Sequence, residues 1–208
     1  MIINDKYPTL KEAQKIWQEG FDYRSDHYNF ANAQDYIFHT HGVAESAQKI
    51  ASKTMYLNSE KAYILGLLHD YGKKYDEKID GIFHGQAGYE EFNAMGYGAC
   101  AKICLTHSFP KKDFSDFEYG SYLPQWIKWA RERLSKVEYD DYDRLIQLCD
   151  MFFEGTHKVS FEHRFAGIQA RYHLKPEQTA NALKYARINK SYFEKLCGVD
   201  IYDLLKIK

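Results

Sequence analysis

Six side chains of this 208-residue sequence stand out among those able to hold metal ions or move protons: His39, the adjacent pair His69-Asp70, His84, His107 and Asp150. Each falls in or beside a stretch of helical periodicity, and two fall on faces that should be dry. At about 100° per residue, His39 shares its helix face with Tyr36, Val43, Ala47 and Ile50. His41 lies on the opposite face with Glu45, Gln48 and Ser52, so of these two histidines His39 is the inward one. Asp150 lies between Ile146 and Phe153 on an apolar stripe. A carboxylate there must be paired, hydrogen-bonded or metal-bound, because isolated burial of the charge is too costly.

His69-Asp70 closes the apolar run Ile64 to Leu68. Adjacent side chains on a helix diverge, yet at a helix end an imidazole and a carboxylate can converge on one ion. A mixed His/Asp set suits Mn, Fe, Ni, Co, Mg or Zn. Plainer readings stand beside this one. A buried histidine can be a satisfied core residue, a His-Asp dipeptide arises by chance, and Asp150 could cap a helix or pair with Arg144. Spacing alone leaves both open.

Helices must position these groups. Thr9-Leu-Lys-Glu12 is a capping box that opens a helix through about Tyr23, and a second helix is expected over 31–53. Asn58-Ser-Glu-Lys61 starts a third, which ends at Gly72. Further helices are expected over 84–95, 99–106, 124–137, 140–153, 160–172, 177–195 and 200–206, with a loop over 109–123. Alternation of the strand type occurs only weakly, over 78–83. The expected architecture is all-α, a single-domain helical bundle spanning 1–208.

Composition narrows the function. With 45% hydrophobic and 27% charged residues the chain is neither disordered nor fibrous. Its 28 basic and 29 acidic side chains create no long-range positive field. Neither a nucleic-acid nor a membrane partner is therefore expected, and an anionic ligand must be held by local groups. Cys100, Cys104, Cys149 and Cys197 sit within helical patterns, the mark of reduced thiols and a cytoplasmic location. Cys100 and Cys104, four apart, are expected to pack in the core. His27, His41, His157, His163 and His173 show no partnering pattern and are read as surface or structural. No Gly-rich phosphate loop, nucleophile elbow or dinucleotide fingerprint is present.

The motifs His39-Thr-His-Gly-Val-Ala44, Gly66-Leu-Leu-His-Asp-Tyr-Gly-Lys73 and Leu148-Cys-Asp150 resemble, over roughly 35–155, the HD-domain superfamily of metal-dependent phosphohydrolases. The resemblance implies an all-α metal core with His39 as first ligand, His69 and Asp70 as the signature pair, and Asp150 as the last ligand. The segment Ala101–Pro110, containing His107, together with the earlier His84, is similar to a bacterial subgroup of small HD proteins. It also resembles HD enzymes in which two intermediate histidines hold a second ion. One or two divalent metal ions are thus implied, with His84 and His107 serving the second metal or the substrate phosphate.

The implied activity is hydrolysis of a phosphate mono- or diester of a small molecule, a nucleotide being the expected class, by a metal-activated water. Asp70 would orient that water and take its proton, and Lys73 would meet the phosphate charge. Lys111 and Lys112 are further candidates for binding the anionic substrate. The aromatic residues nearby, Tyr71, Tyr75 and Tyr89 among them, would stack a base or simply fill space. Two other classes stay in view: a di-iron oxygenase on the same ligand set, and a non-catalytic phosphate- or nucleotide-binding module.

Overall fold

Caps written into the sequence start the helices. Thr9 Oγ1 accepts from the Glu12 N–H while the Glu12 carboxylate accepts from the Thr9 N–H, opening α1, Leu10–His27. In the computed structural model, which describes residues 4–110, 112 and 124–207, this is followed by α2, Ala33–Ala51, and α3, Ser59–Leu68, the latter capped by Asn58. A 3-10 turn, Tyr71–Lys74, leads to α4, Glu77–Asp80, then to α5, His84–Ala94, and α6, Gly98–Thr106. Beyond these come α7, Pro124–Leu134, and α8, Asp141–Asp150, which opens on a second capping box made by Asp140 and Asp143. The chain ends in α9, Phe161–Tyr172, α10, Pro176–Cys197, and α11, Ile201–Leu205. The architecture is all-α, as the sequence implies.

Two expectations are corrected. The weak alternation over 78–83 makes no strand. The Asp76 side chain accepts from the N–H groups of Lys78 and Ile79, and Gly81 closes the turn at φ 67°, so local capping selects the short helix α4 instead. The helix expected to reach 153 ends at Asp150. There the chain turns, and Phe153–Glu154 pairs antiparallel with His157–Lys158 as β1 and β2, the only strands among the described residues. The hairpin reverses at Gly155, φ 55°.

Packing around α2 and α3 fixes the floor of the site. Val43, Ala47 and Ile50 of α2, Ile64 and Leu67 of α3, and Ile146 of α8 are buried in one core with Trp17 of α1, Phe193 of α10 and Ile201 of α11. Each large side chain so buried contributes about 1.5–3 kcal/mol. A Cβ on Gly66 would lie 2.8 Å from the Ala44 Cα, so only glycine lets α3 approach α2 this closely. A smaller cluster of Phe83, Leu105, Phe109, Trp126 and Leu134 supports α5 and α6 from the other side. Cys100, Cys104 and Cys149 are free and buried, and burial pushes the Cys100 thiol up to about 12, which fits core packing. Among the described residues, no helix is long and apolar enough to cross a membrane.

Candidate metal centre

Five helices, α2, α3, α5, α6 and α8, deliver the six polar groups to one place. His39 stands on the inner face of α2, as its stripe requires, while His41 packs edge-on against Trp17 at 4.8 Å between ring centroids. His69 and Asp70 follow the last turn of α3, and Asp70 precedes the 3-10 turn. Gly72 in that turn permits the next approach: a Cβ there would lie 1.9 Å from the His84 carbonyl oxygen. The first turn of α5 therefore seats directly on the turn after Asp70 and brings His84 to it. His107 follows α6, and Asp150 ends α8. From α1, Arg24 clamps the turn by donating to the carbonyls of Lys73 (2.5 Å) and Tyr75 (2.6 Å).

The imidazoles are oriented by what their outer nitrogens meet. His69 Nδ1 lies 2.7 Å from the Gly66 carbonyl, and His107 Nδ1 lies 3.0 Å from that of Ile103. His84 Nδ1 lies 2.5 Å from Glu77 Oε1. A carbonyl or carboxylate there must receive an N–H, which leaves the Nε2 lone pair of each neutral ring facing inward. Those of His84 and His107 converge, their Nε2 atoms 3.2 Å apart, and His69 Nε2 lies 3.1 Å from that of His39. Nitrogens so close repel unless a proton or a cation lies between them.

Asp70 stands between the two pairs. Its Oδ2 lies 3.3 Å from both His39 and His69 Nε2, and its Oδ1 lies 3.5 Å from His84 and 3.4 Å from His107 Nε2. That Oδ1 is buried and accepts no hydrogen bond. An anionic oxygen stranded among inward lone pairs is the donor set a divalent cation satisfies. Two groups, His39-His69-Asp70 and Asp70-His84-His107, have their ligand atoms close enough to hold an ion each, sharing Asp70. Asp150 Oδ1 joins the first at 3.1 Å from His39 and 3.8 Å from His69 Nε2. Mixed nitrogen and oxygen donors of this kind suit borderline and hard divalent metals.

Electrostatics match the geometry. Burial works against ionising Asp70, but the Lys73 ammonium beside it holds its pKa well below the usual carboxylate range. Asp150 is lowered likewise, burial being outweighed by its bond from His39. Burial opposes the charged form of His39, yet the carboxylates of Asp150 and Asp70 raise its pKa overall. Lys73 Nζ lies 2.6 Å from Asp70 Oδ2, and its side chain stays 43% exposed at the mouth of the site.

All six sequence-derived ligand candidates thus meet, and Lys73 stands beside them. Lys112 does not: it donates to the Val137 carbonyl and lies over the Tyr139 ring, lining neither cleft at the centre. Lys111 lies outside the described residues. Asp150 does not pair with Arg144, which bonds Asp141 instead. Glu77 was not legible as a site residue, because it stands just before the stretch 78–83 whose weak alternation is of the strand type; the Asp76 and Gly81 caps that bracket it were the available signal. Also unforeseen are Gln147, Arg164, Arg171 and Asn189, which line a cavity of about 320 Å³ that runs from the centre to α9 and α10. A second cleft leaves the centre past Arg24, Tyr36 and Tyr75.

Residues 36–153 match the HD-domain family model, a span that contains every one of the six groups. Neither the curated proteins nor the solved structures include a match to this chain.

Proposed function

The chain belongs to the HD-domain family, whose superfamily is one of metal-dependent phosphohydrolases, and on that premise we propose that it hydrolyses a phosphate mono- or diester of a small molecule, a nucleotide being the favoured class. The observation that carries this reading is Asp70: a buried carboxylate with one oxygen toward His39 and His69, the other toward His84 and His107, and no donor on the second.

The proposed ligands are His39, His69, Asp70 and Asp150 for one ion, and Asp70, His84 and His107 for a second. A bound divalent ion would supply a water acidic enough to ionise near neutral pH and would polarise a phosphoryl oxygen. The residues do the rest. Glu77 fixes the His84 ring and His107 is fixed by the Ile103 carbonyl, so neither imidazole has to reorganise when substrate arrives. Asp70 orients the attacking water and accepts its proton. Lys73, half exposed at the mouth, swings its ammonium to the phosphate oxygens, and Ser108 Oγ, 3.0 Å from His107 Nε2, offers a further hydroxyl.

A second reading has the same donor set as its motive: two carboxylate-linked histidine pairs also suit a di-iron oxygenase. One experiment separates them. The purified protein is analysed for metal content and screened with phosphomonoesters and phosphodiesters under several added divalent ions, with and without chelator and oxygen. Metal-dependent release of phosphate without oxygen is the expected result. Turnover that survives chelation overturns the proposal, and iron-dependent oxygen consumption without phosphate release replaces it with the second reading.

A further inference from the structure

One end of the cavity is the centre itself, and the other is walled by α9 and α10, which lie outside the HD-domain match. On α9, Phe165 and Ile168 point the same way at i and i+3; on α10, Ala182, Ala186 and Asn189 form the facing stripe at i, i+4 and i+7. Small residues on one wall and large apolar ones on the other leave a slot that opens on Asp70 and Asp150. The whole cavity, centre included, measures about 320 Å³, at the lower end of the range of small-molecule sites. The slot is not wholly apolar. Asn189, 9% exposed, lines it, and its side-chain amide makes no hydrogen bond among the described residues. Gln147, whose Nε2 is committed to the Thr106 carbonyl, also lines it, with its Oε1 buried and unpartnered. Buried amides are ordinarily satisfied, so the stranded Gln147 oxygen, with the Asn189 amide open to the same cavity, marks where a ligand's polar atoms belong.

We propose that this slot is the subsite for the organic half of the ester, that this half is a ring-sized, largely apolar group with a hydrogen-bonding edge, and that Asn189 is the residue that reads the edge. The proposal rests on the phosphohydrolase reading for the phosphate end, but the slot itself binds the organic group whether or not metal is present. An amide offers a donor and an acceptor side by side, so it recognises an edge that carries both. A site of this kind rejects analogues that lack the edge far better than an apolar wall rejects a missing methylene.

The test compares kcat/KM for adenosine monophosphate (ring with a polar edge), phenyl phosphate (ring without one) and glycerol 2-phosphate (no ring). Ala186→Phe, which fills the slot, is expected to lower both ring esters at least tenfold relative to glycerol 2-phosphate. Asn189→Leu is expected to lower adenosine monophosphate at least tenfold relative to phenyl phosphate. Ratios that stay constant in both variants overturn the proposal, provided that both melt cooperatively near the wild-type temperature. Calorimetric titration of adenosine into chelator-treated protein reads the slot independently of chemistry. Binding that is lost in Ala186→Phe supports the slot even if no ester is turned over, in which case only the hydrolase reading fails. Absence of adenosine binding to the wild type, together with equal rates for the three esters, sinks the slot and leaves the hydrolase reading standing.

Discussion

Asp70 and Asp143 are withdrawn from solvent to the same degree, 1% and 0% exposed, and their surroundings differ in kind. Asp143 is fully employed by the protein. Its Oδ1 accepts from the Thr106 hydroxyl at 2.6 Å, and its Oδ2 meets Lys102 Nζ at 2.6 Å and the Asp140 N–H at 2.7 Å. Burial and the neighbouring Asp140 push its pKa up while Lys102 pulls it down, and Lys102, less deeply buried, is raised by the same carboxylates. Asp70 has Lys73 on one oxygen and nothing that donates to the other, although four imidazole Nε2 atoms surround it. A buried carboxylate whose lone pairs all meet donors ties helices together; one ringed by acceptors is arranged for a cation the chain does not itself provide. Burial alone does not tell the two apart, whereas a census of donors does.

The largest effect should come from breaking the Asp70 side. Asp70→Asn removes the shared anionic oxygens, so bound metal should fall to background and turnover should drop by about 10³-fold or more, roughly 4 kcal/mol of transition-state stabilisation. The chelator-treated variant should nevertheless melt close to the chelator-treated wild type. Metal analysis, a phosphate-release assay and a thermal melt check the three parts. A variant that keeps its metal would erase the contrast with Asp143.

The opposite signature is expected from Asp143→Ala, which leaves the Thr106 hydroxyl without its acceptor and Lys102 with Asp140 alone. Removing one partner of a buried, hydrogen-bonded pair costs about 3–5 kcal/mol, read as a lower urea midpoint at unchanged slope. Metal bound per folded protein should stay at the wild-type level. Loss of metal with no loss of stability would reverse the assignment of the two carboxylates.

How far the contrast could be read beforehand depends on which physical signal carries it. His39 and Asp150 were legible because a polar group on an apolar helical stripe is anomalous in one dimension, and His69-Asp70 because it ends an apolar helix. The helices were legible for the same reason, with Thr9 and Asn58 as caps. Asp143 carried no such signal, and its burial arises only because α6 lies over α8 with Lys102 and Thr106. Lys112 shows the converse: a cation in a loop after His107 seemed placed for substrate, yet Val137 and Tyr139 claim it. Asn189 and Arg164 belong to the site only through the docking of α9 and α10, which no local pattern encodes.

Glu77 sharpens the comparison from an intermediate position. It is about one-third exposed, and its Oε1 serves only to hold His84, taking that ring's Nδ1 at 2.5 Å and its N–H at 2.8 Å. Glu77→Gln keeps the shape but weakens the acceptor, so His84 becomes less basic and less firmly aimed. Metal affinity or kcat should fall about 10–100-fold, with kcat affected more than KM, and Glu77→Asp should recover part of the loss. A change below twofold would mean that His84 is held by packing alone.

The smallest effect concerns a carboxylate that is satisfied but exposed, Asp200, which calibrates what donors are worth without burial. Its side chain caps α11 by accepting from the Asp203 N–H at 3.0 Å, and it pairs with Lys190 at 3.0 Å. The backbone bond, with the lysine, lowers its pKa to about 2. A depressed carboxylate stabilises the fold above its unfolded pKa and loses that contribution as pH falls through the folded one. Asp200→Ala should therefore cost about 1 kcal/mol at neutral pH, the ordinary worth of an N-cap. The gap between variant and wild type should hold down to about pH 4 and close toward pH 2. Urea titrations at a series of pH values measure it. A cost at neutral pH as large as that of Asp143→Ala would show that donor count, not burial, sets what a paired carboxylate contributes here.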